Sequence, residues 1–263
     1  MEKTTEDVIP MHQQEIGFYE ELQCNAFPAL QTVLYDGWSV RFGGGFTYRV
    51  NCANPMYPEV LPMEEKLAYV EQLYRESGLS MAIVKLHQGM EPERLQRAEM
   101  LLDEKGYGSE RRGNIFLCDL AGFDQKPRTE VTIQGTMDDV WLDGFLTMNG
   151  TADAQREAAV RMLKNIHYPI VAASIVEDGK MAACGLGVVE RGNVGLYDIF
   201  VDADCRRRGL GGDICTAIMN AGKAAGCSRA YLQVLSDNQG ARALYRGLGY
   251  RESYEYWFRT KRF

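Results

Sequence analysis

Histidine is scarce in this chain, with three in 263 residues, His12, His87 and His167. None lies near a second ligand at metal-binding spacing, so a bound structural or catalytic metal is not expected. The cysteines, at positions 24, 52, 118, 184, 205, 215 and 227, form no C-x-x-C pair. Their odd number fits reduced thiols and not a disulfide framework. No apolar run is long enough to cross a bilayer, and the opening Met1-Glu2-Lys3-Thr4-Thr5-Glu6-Asp7 is acidic where a secretory leader would be basic and then apolar. A cytoplasmic protein without membrane attachment is therefore expected. Basic residues are outnumbered, 29 Lys and Arg against 36 Asp and Glu, for a net charge of −7. That argues against a general nucleic-acid or anionic-membrane binder, since both need broad positive surface.

What is present is globular: 46% hydrophobic and 25% charged residues, with a length that suits one large domain or two small ones. Helical spacing runs from Ile9 to Leu30, and Asp36-Gly37 makes a turn before a strand at Trp38–Phe42. Thr47 to Val50 reads as a resumed strand, and Asn51 to Pro62, with three prolines, reads as irregular. A helix over Pro62–Ser77, a strand over Ser80–Leu86, a helix over Glu91–Lys105 stopped by Gly106, and a strand over Asn114–Leu120 follow. Ala121 to Arg128 carries Gly122 and Pro127 and reads as a linker. Beyond it come a strand at Glu130–Ile133, helices at Asp138–Asn149 and Asp153–Asn165, and three closely spaced strands at Ile170–Val176, Met181–Val189 and Val194–Val201, which should be antiparallel neighbours. A helix from Leu210 to Ala225, a strand at Ala230–Leu235, a helix over Asn238–Leu248 and a strand over Tyr254–Phe263 complete a mixed sheet with helices on its faces.

Two stretches repeat. Ala98-Glu-Met-Leu101-Leu102-Asp-Glu-Lys-Gly106-Tyr107 aligns with Ala241-Arg-Ala-Leu244-Tyr245-Arg-Gly-Leu-Gly249-Tyr250 at a constant offset of 143. Each copy follows an apolar strand and precedes another. Two copies of one fold are expected, over residues 1–122 and 128–263.

The stretch with most chemistry is Cys205-Arg206-Arg207-Arg208-Gly209-Leu210-Gly211-Gly212-Asp213, between a strand and a helix. Backbone N–H groups at such a junction sit at the positive end of a helix dipole, where phosphate is best held. Glycines at 209, 211 and 212 let main chain approach a ligand, and the arginines add charge at the rim. A dinucleotide fingerprint would need a third glycine where Ile214 stands, and Gly222-Lys223-Ala224 lacks the hydroxyl of a nucleoside-triphosphate loop. A pyrophosphate cradle is left.

Arg206-x-x-Gly209-x-Gly211, with Asn238-x-x-Ala241-x-x-Leu244-Tyr245 and Gly249-Tyr250 behind it, resembles the acyl-CoA motifs of the GCN5-related N-acetyltransferases. The resemblance covers residues 130 to 263 and, more faintly, 9 to 120. It implies a mixed, mostly antiparallel α/β sheet in two tandem copies, the first degenerate: nothing between Trp38 and Glu64 matches the cradle, and Leu102 replaces Tyr245. It implies acetyl-CoA as cosubstrate, held by Arg206, Arg207, Arg208, Gly209, Leu210, Gly211 and Gly212 at its diphosphate, by the main chain of Ile199, Phe200 and Val201 along its pantetheine, and by Asn238.

The acceptor would be a primary amine on a small molecule or a protein. By helix spacing alone Tyr245 reads as a core tyrosine; the resemblance implies a proton donor to the departing thiolate. Asp198 and Asp202 are candidates for accepting the amine's proton, and Asp198, which interrupts an apolar run, could equally brace a loop. Glu177 and Glu190, near hairpin turns, read as solvated. A non-catalytic acyl-CoA sensor or scaffold, or an enzyme using another acyl-CoA, would carry the same motifs.

Overall fold

The computed structural model describes residues 9–263; the acidic opening that argued against a leader lies outside them. The chain forms two compact units. They are not the two contiguous stretches expected. One comprises Pro10–Asn114, Glu157–Asn165 and Tyr254–Phe263, and the other Ile9, Ile115–Arg156 and Ile166–Ser253.

The first unit opens with helix α1 (Gln13–Ala26), then the hairpin of β1 (Gln31–Tyr35) and β2 (Trp38–Phe42). Asp36 and Gly37 turn it with φ of 40° and 80°, as a two-residue hairpin requires. Strand β3 (Ala53–Pro55), helix α2 (Met63–Glu76), strand β4 (Met81–His87) and helix α3 (Pro92–Glu104) follow, and β5 (Gly108–Asp119) carries the chain onward. The strand order here is β1-β2-β3-β4, then the final strand β11 (Arg251–Arg262).

That last strand explains the interleaving. It pairs antiparallel with β4 from Tyr256 against His87 to Arg262 against Met81, and Trp257 enters the core of Trp38, Leu67, Val70, Tyr74 and Leu102. Its Arg259, nearly buried, is held by Glu99, Asp103 and the Tyr107 carbonyl. Its Tyr254 hydroxyl donates to Glu20 Oε1 at 2.9 Å. Glu20 also takes Lys85 Nζ on its other oxygen at 2.5 Å. Both members of that pair are buried, so each depends on the other for its charge to be tolerated.

The stretch expected as irregular contains β3, and the expected strand at Thr47–Val50 is instead a 3₁₀ turn over Tyr48–Val50. Gly43 and Gly45 donate to Asn51 Oδ1 there and bend the chain back.

The second unit contains β5 beyond Asn114, β6 (Thr132–Gln134), α4 (Asp139–Met148), the start of α5 (Asp153–Lys164), β7 (Ile170–Glu177), β8 (Lys180–Glu190), β9 (Asn193–Val201), α6 (Leu210–Ala224), β10 (Arg229–Leu235) and α7 (Gln239–Gly247). Its strand order is β5-β10-β9-β8-β7-β6. Strands β7 to β9 are antiparallel neighbours as expected, β6 pairs antiparallel with β7, and β10 runs parallel to β9. Helix α6 buries Leu210, Ile214, Cys215, Ile218 and Met219 against Ile175, Val194, Leu196 and Leu232. Burying each such side chain contributes about 1.5–3 kcal/mol, so α6 is held by its core face and its first turn is fixed with it. Among the described residues, no helix is long and apolar enough to cross a membrane.

The repeat persists in the elements. Strands β5 and β11 are each 12 residues long and start at 108 and 251, again 143 apart. Each follows a glycine in the left-handed region, Gly106 at φ 78° and Gly249 at φ 91°.

Candidate functional site

Strands β9 and β10 set up the site. They are in register only from Asn193–Arg229 to Leu196–Leu232. Beyond that point they part, and β9 continues from Tyr197 to Val201 without β10 beside it. On its other side, the register with β8 slips between Cys184 and Leu186, opposite Phe200 and Tyr197, so β9 carries one extra residue. Asp198 sits in this bulge with φ 47°. A left-handed, non-glycine residue is uncommon, and aspartate is among those that tolerate it. The charged residue that interrupted an apolar run thus marks a bend in the strand.

The bend assigns side chains. Ile199 approaches Gly185 and joins the α6 core, while Val201 lies against Gly211. Phe200 meets Phe145 edge-on at 5.9 Å. What β9 presents along its parting edge is main chain.

At the end of β9, Asp202 caps a 3₁₀ turn over Ala203–Cys205. Gly209 caps α6 in the left-handed region, φ 88°, where a side chain would be strained. The amides of Gly212 and Asp213 bond back to the Gly209 carbonyl at 2.9 and 3.1 Å. Those of Gly209, Leu210 and Gly211 have no backbone acceptor among the described residues, the usual condition of a helix's first turn. Gly211 and Gly212 let α6 pass close to Val201 and Leu244, 3.3 Å from where a side chain would begin. The Leu210 side chain is in the core.

The three arginines divide. Arg206 Nε donates to the Val201 carbonyl at 3.3 Å, and Arg207 is exposed at φ 60°. Arg208 forks onto Glu177, Nη1 to Oε2 at 2.8 Å and Nη2 to Oε1 at 2.7 Å. Glu177, expected in free solution, is therefore paired, and these hydrogen bonds hold its carboxyl below the ordinary range. Glu190, also expected solvated, is buried and accepts from Arg191 Nε at 2.9 Å.

Helix α7 brings the remaining residues. Asn238 caps it, its side-chain oxygen accepting from Ala241 N at 3.1 Å. Tyr245 is buried on the inner face, edge-on to Tyr250. Burial above all, then the Cys215 thiol and the Asp198 carboxylate, pushes the Tyr245 phenol well above its usual range. Asp198 also adds to the burial that raises Cys184 to about 12. The Asp198 charge therefore reaches both Tyr245 and Cys184. Among the described residues no three His, Cys, Asp or Glu side chains gather as a metal site, and all seven cysteines are unpaired.

Sequence reasoning missed two groups here. Arg128, in the linker, lies across Gly209: a Cβ at 209 would overlap its guanidinium. Asp213, 4% exposed, accepts the Arg128 backbone N–H at 3.0 Å. No spacing rule links positions so far apart in the chain.

Parted parallel strands thus run into a glycine-capped helix. The family described as "Probable histone acetyltransferase Rv0428c C-terminal" matches residues 14–259, and the chain belongs to it. It is similar to the uncharacterised N-acetyltransferase YobR of Bacillus subtilis, 25% identical over 47% of this chain and 50% of that protein. It is also similar to the [ribosomal protein bS18]-alanine N-acetyltransferase of Escherichia coli, 33% identical over 30% of this chain and 53% of that protein. The chain spans about half the length of the curated relatives it matches.

Among solved structures, a GCN5-related N-acetyltransferase from Kribbella flavida superposes with a TM-score of 0.69 at 16% identity, over 93% of this chain and 95% of that one. A tandem protein of the family from the clavulanic acid biosynthesis pathway gives 0.64 at 14%, over 92% and 87%. The tandem α/β fold is thereby shared.

Proposed function

We propose that the chain is an acetyl-CoA-dependent N-acetyltransferase that moves acetyl directly to a primary amine, with the chemistry in residues 128–263. The observation that carries this is the parting of β9 and β10 beyond Leu196 and Leu232, leading straight to the left-handed Gly209 at the head of α6. An extended pantetheine has amides that suit the exposed edge at Ile199, Phe200 and Val201, as an added strand would. Its diphosphate suits the amides of Gly209, Leu210 and Gly211 and the charge of Arg206 and Arg207. These residues fit the cosubstrate without rearranging the core.

The reaction asks for a neutral amine, a polarised thioester carbonyl and a proton for the departing thiolate. As the amine nitrogen bonds to the carbonyl carbon and the C–S bond breaks, Tyr245 donates to the sulfur. Burial keeps it a phenol at any working pH. Asp198, which sits in the bulge, accepts the amine's proton directly or through water. Because the Escherichia coli relative is named for an alanine of a ribosomal protein, an N-terminal or other primary amine is the acceptor class we adopt.

We read residues 1–122 as a copy without this chemistry. Its β3 and β4 are also parallel, meeting at Ala53 and Val84, but Pro58 and Pro62 stand where glycines would be needed. Glu64 and Glu65 occupy the first turn of α2 and would repel phosphate. We read the protein as cytoplasmic, a reading its free thiols support.

The test is release of free CoA thiol from acetyl-CoA across a panel of primary amines. Tyr245→Phe should lower kcat by roughly 10²-fold or more with little change in KM for acetyl-CoA. Turnover that is independent of Tyr245 would remove it as the proton donor, and none with any amine would favour the non-catalytic sensor reading.

A further inference from the structure

The connection at 121–128 is not slack. It lies along α6, tied by three side chains of that helix to its backbone. Lys223 Nζ donates to the carbonyls of Ala121 and Phe123 at 3.2 and 2.6 Å. Asn220 Nδ2 donates to that of Gln125 at 3.0 Å. Asp213 Oδ1 accepts the Arg128 N–H at 3.0 Å. The ties advance from the end of α6 to its first turn, and the strap they fix stops with Arg128 over Gly209.

A guanidinium at the positive end of a helix is electrostatically out of place. Asp213 makes it tolerable: its buried carboxylate holds both the Arg128 backbone and, at 3.5 Å, the Nε. That contact engages one of five guanidinium N–H donors. The Arg128 side chain as a whole is 70% exposed, and its forked end lies where a side chain on Gly209 would begin. Such a fork matches two oxygens of a phosphate bidentately.

We propose that Arg128 is a further cosubstrate-binding residue: it closes over the cradle from the linker side and grips the diphosphate of coenzyme A opposite the α6 amides. This rests on the reading of the cradle given above. It adds an arginine that the Arg-x-x-Gly-x-Gly motif does not contain, and it gives the strap the task of placing it.

Calorimetric titration of the full chain with CoA and with dephospho-CoA tests it. Wild type should bind both, and Arg128→Ala should weaken both by about tenfold or more, with Arg128→Lys recovering part of the loss and the melting temperature unchanged, since the side chain is largely in solvent. Equal affinities in wild type and Arg128→Ala would overturn the inference while leaving the cradle intact. A loss confined to CoA would move the contact to the 3′-phosphate and overturn the diphosphate assignment. Failure of the wild type itself to bind CoA would instead sink the acyl-CoA reading.

Discussion

Asp198 is the residue whose position in the sequence and in the fold agree most usefully. A charge inside an apolar strand costs free energy unless something requires it, and the bulge supplies the requirement. Asparagine also tolerates the left-handed region. Asp198→Asn should therefore keep the bulge and the melting temperature while lowering kcat, which rapid thiol-release kinetics would show; an unchanged kcat would leave Asp198 a brace for the strand. Gly209 has a different sensitivity. Any side chain there meets both φ 88° and the Arg128 guanidinium, so Gly209→Ala should destabilise the chain by about 1–2 kcal/mol, read in a urea melt, and weaken CoA binding in parallel.

At the scale of elements, most of the helices and all three hairpin strands of the second unit were legible because their apolar periods are strong. Leucine-rich α2 and α3 and the turns at Asp178-Gly179 and Arg191-Gly192 left little choice. Strand β5 begins at Gly108, six residues before its apolar part, because Glu110, Arg111 and Arg112 are solvent-facing and hide the strand. Strand β3 was hidden by prolines. The cradle glycines and the cap at Asn238 were readable, since glycine and asparagine act locally; the Arg128 strap was not, since its ties come from side chains nearly a hundred residues away.

The buried network of α1 and β4 yields a pH prediction. Burial is the largest influence on Glu20 and would raise it, but Lys85, His87 and the bonds from Lys85 and Tyr254 outweigh that and lower its pKa. Burial lowers His87, with Lys85 and Arg94 adding and Glu20 and the Pro55 carbonyl opposing. Both folded values lie below the unfolded ones, so both groups stabilise at neutral pH. His87's share falls away as pH drops below about 6.5, and Glu20's as it drops below about 4.3. A melting-temperature series should decline in those two windows, and His87→Gln should remove the upper one.

At the scale of the whole molecule, the two units trade chain. Residues 1–122 lack β11 and the Tyr254 and Arg259 contacts that satisfy Glu20, Glu99 and Asp103. Expressed alone they should fail to show a cooperative thermal transition by circular dichroism, whereas the full chain should melt cooperatively. A sharp melt of the fragment would mean that β11 is dispensable.

That exchange also orders events during synthesis. The residues of the first unit made early wait for β11, so their sheet edge along β4 is open for the whole time the ribosome takes to reach Tyr254, at ~5–20 residues per second. A nascent chain stalled before residue 254 would then present that edge to chaperones or to another copy, and the emergence of β11 would be the step at which the first unit closes.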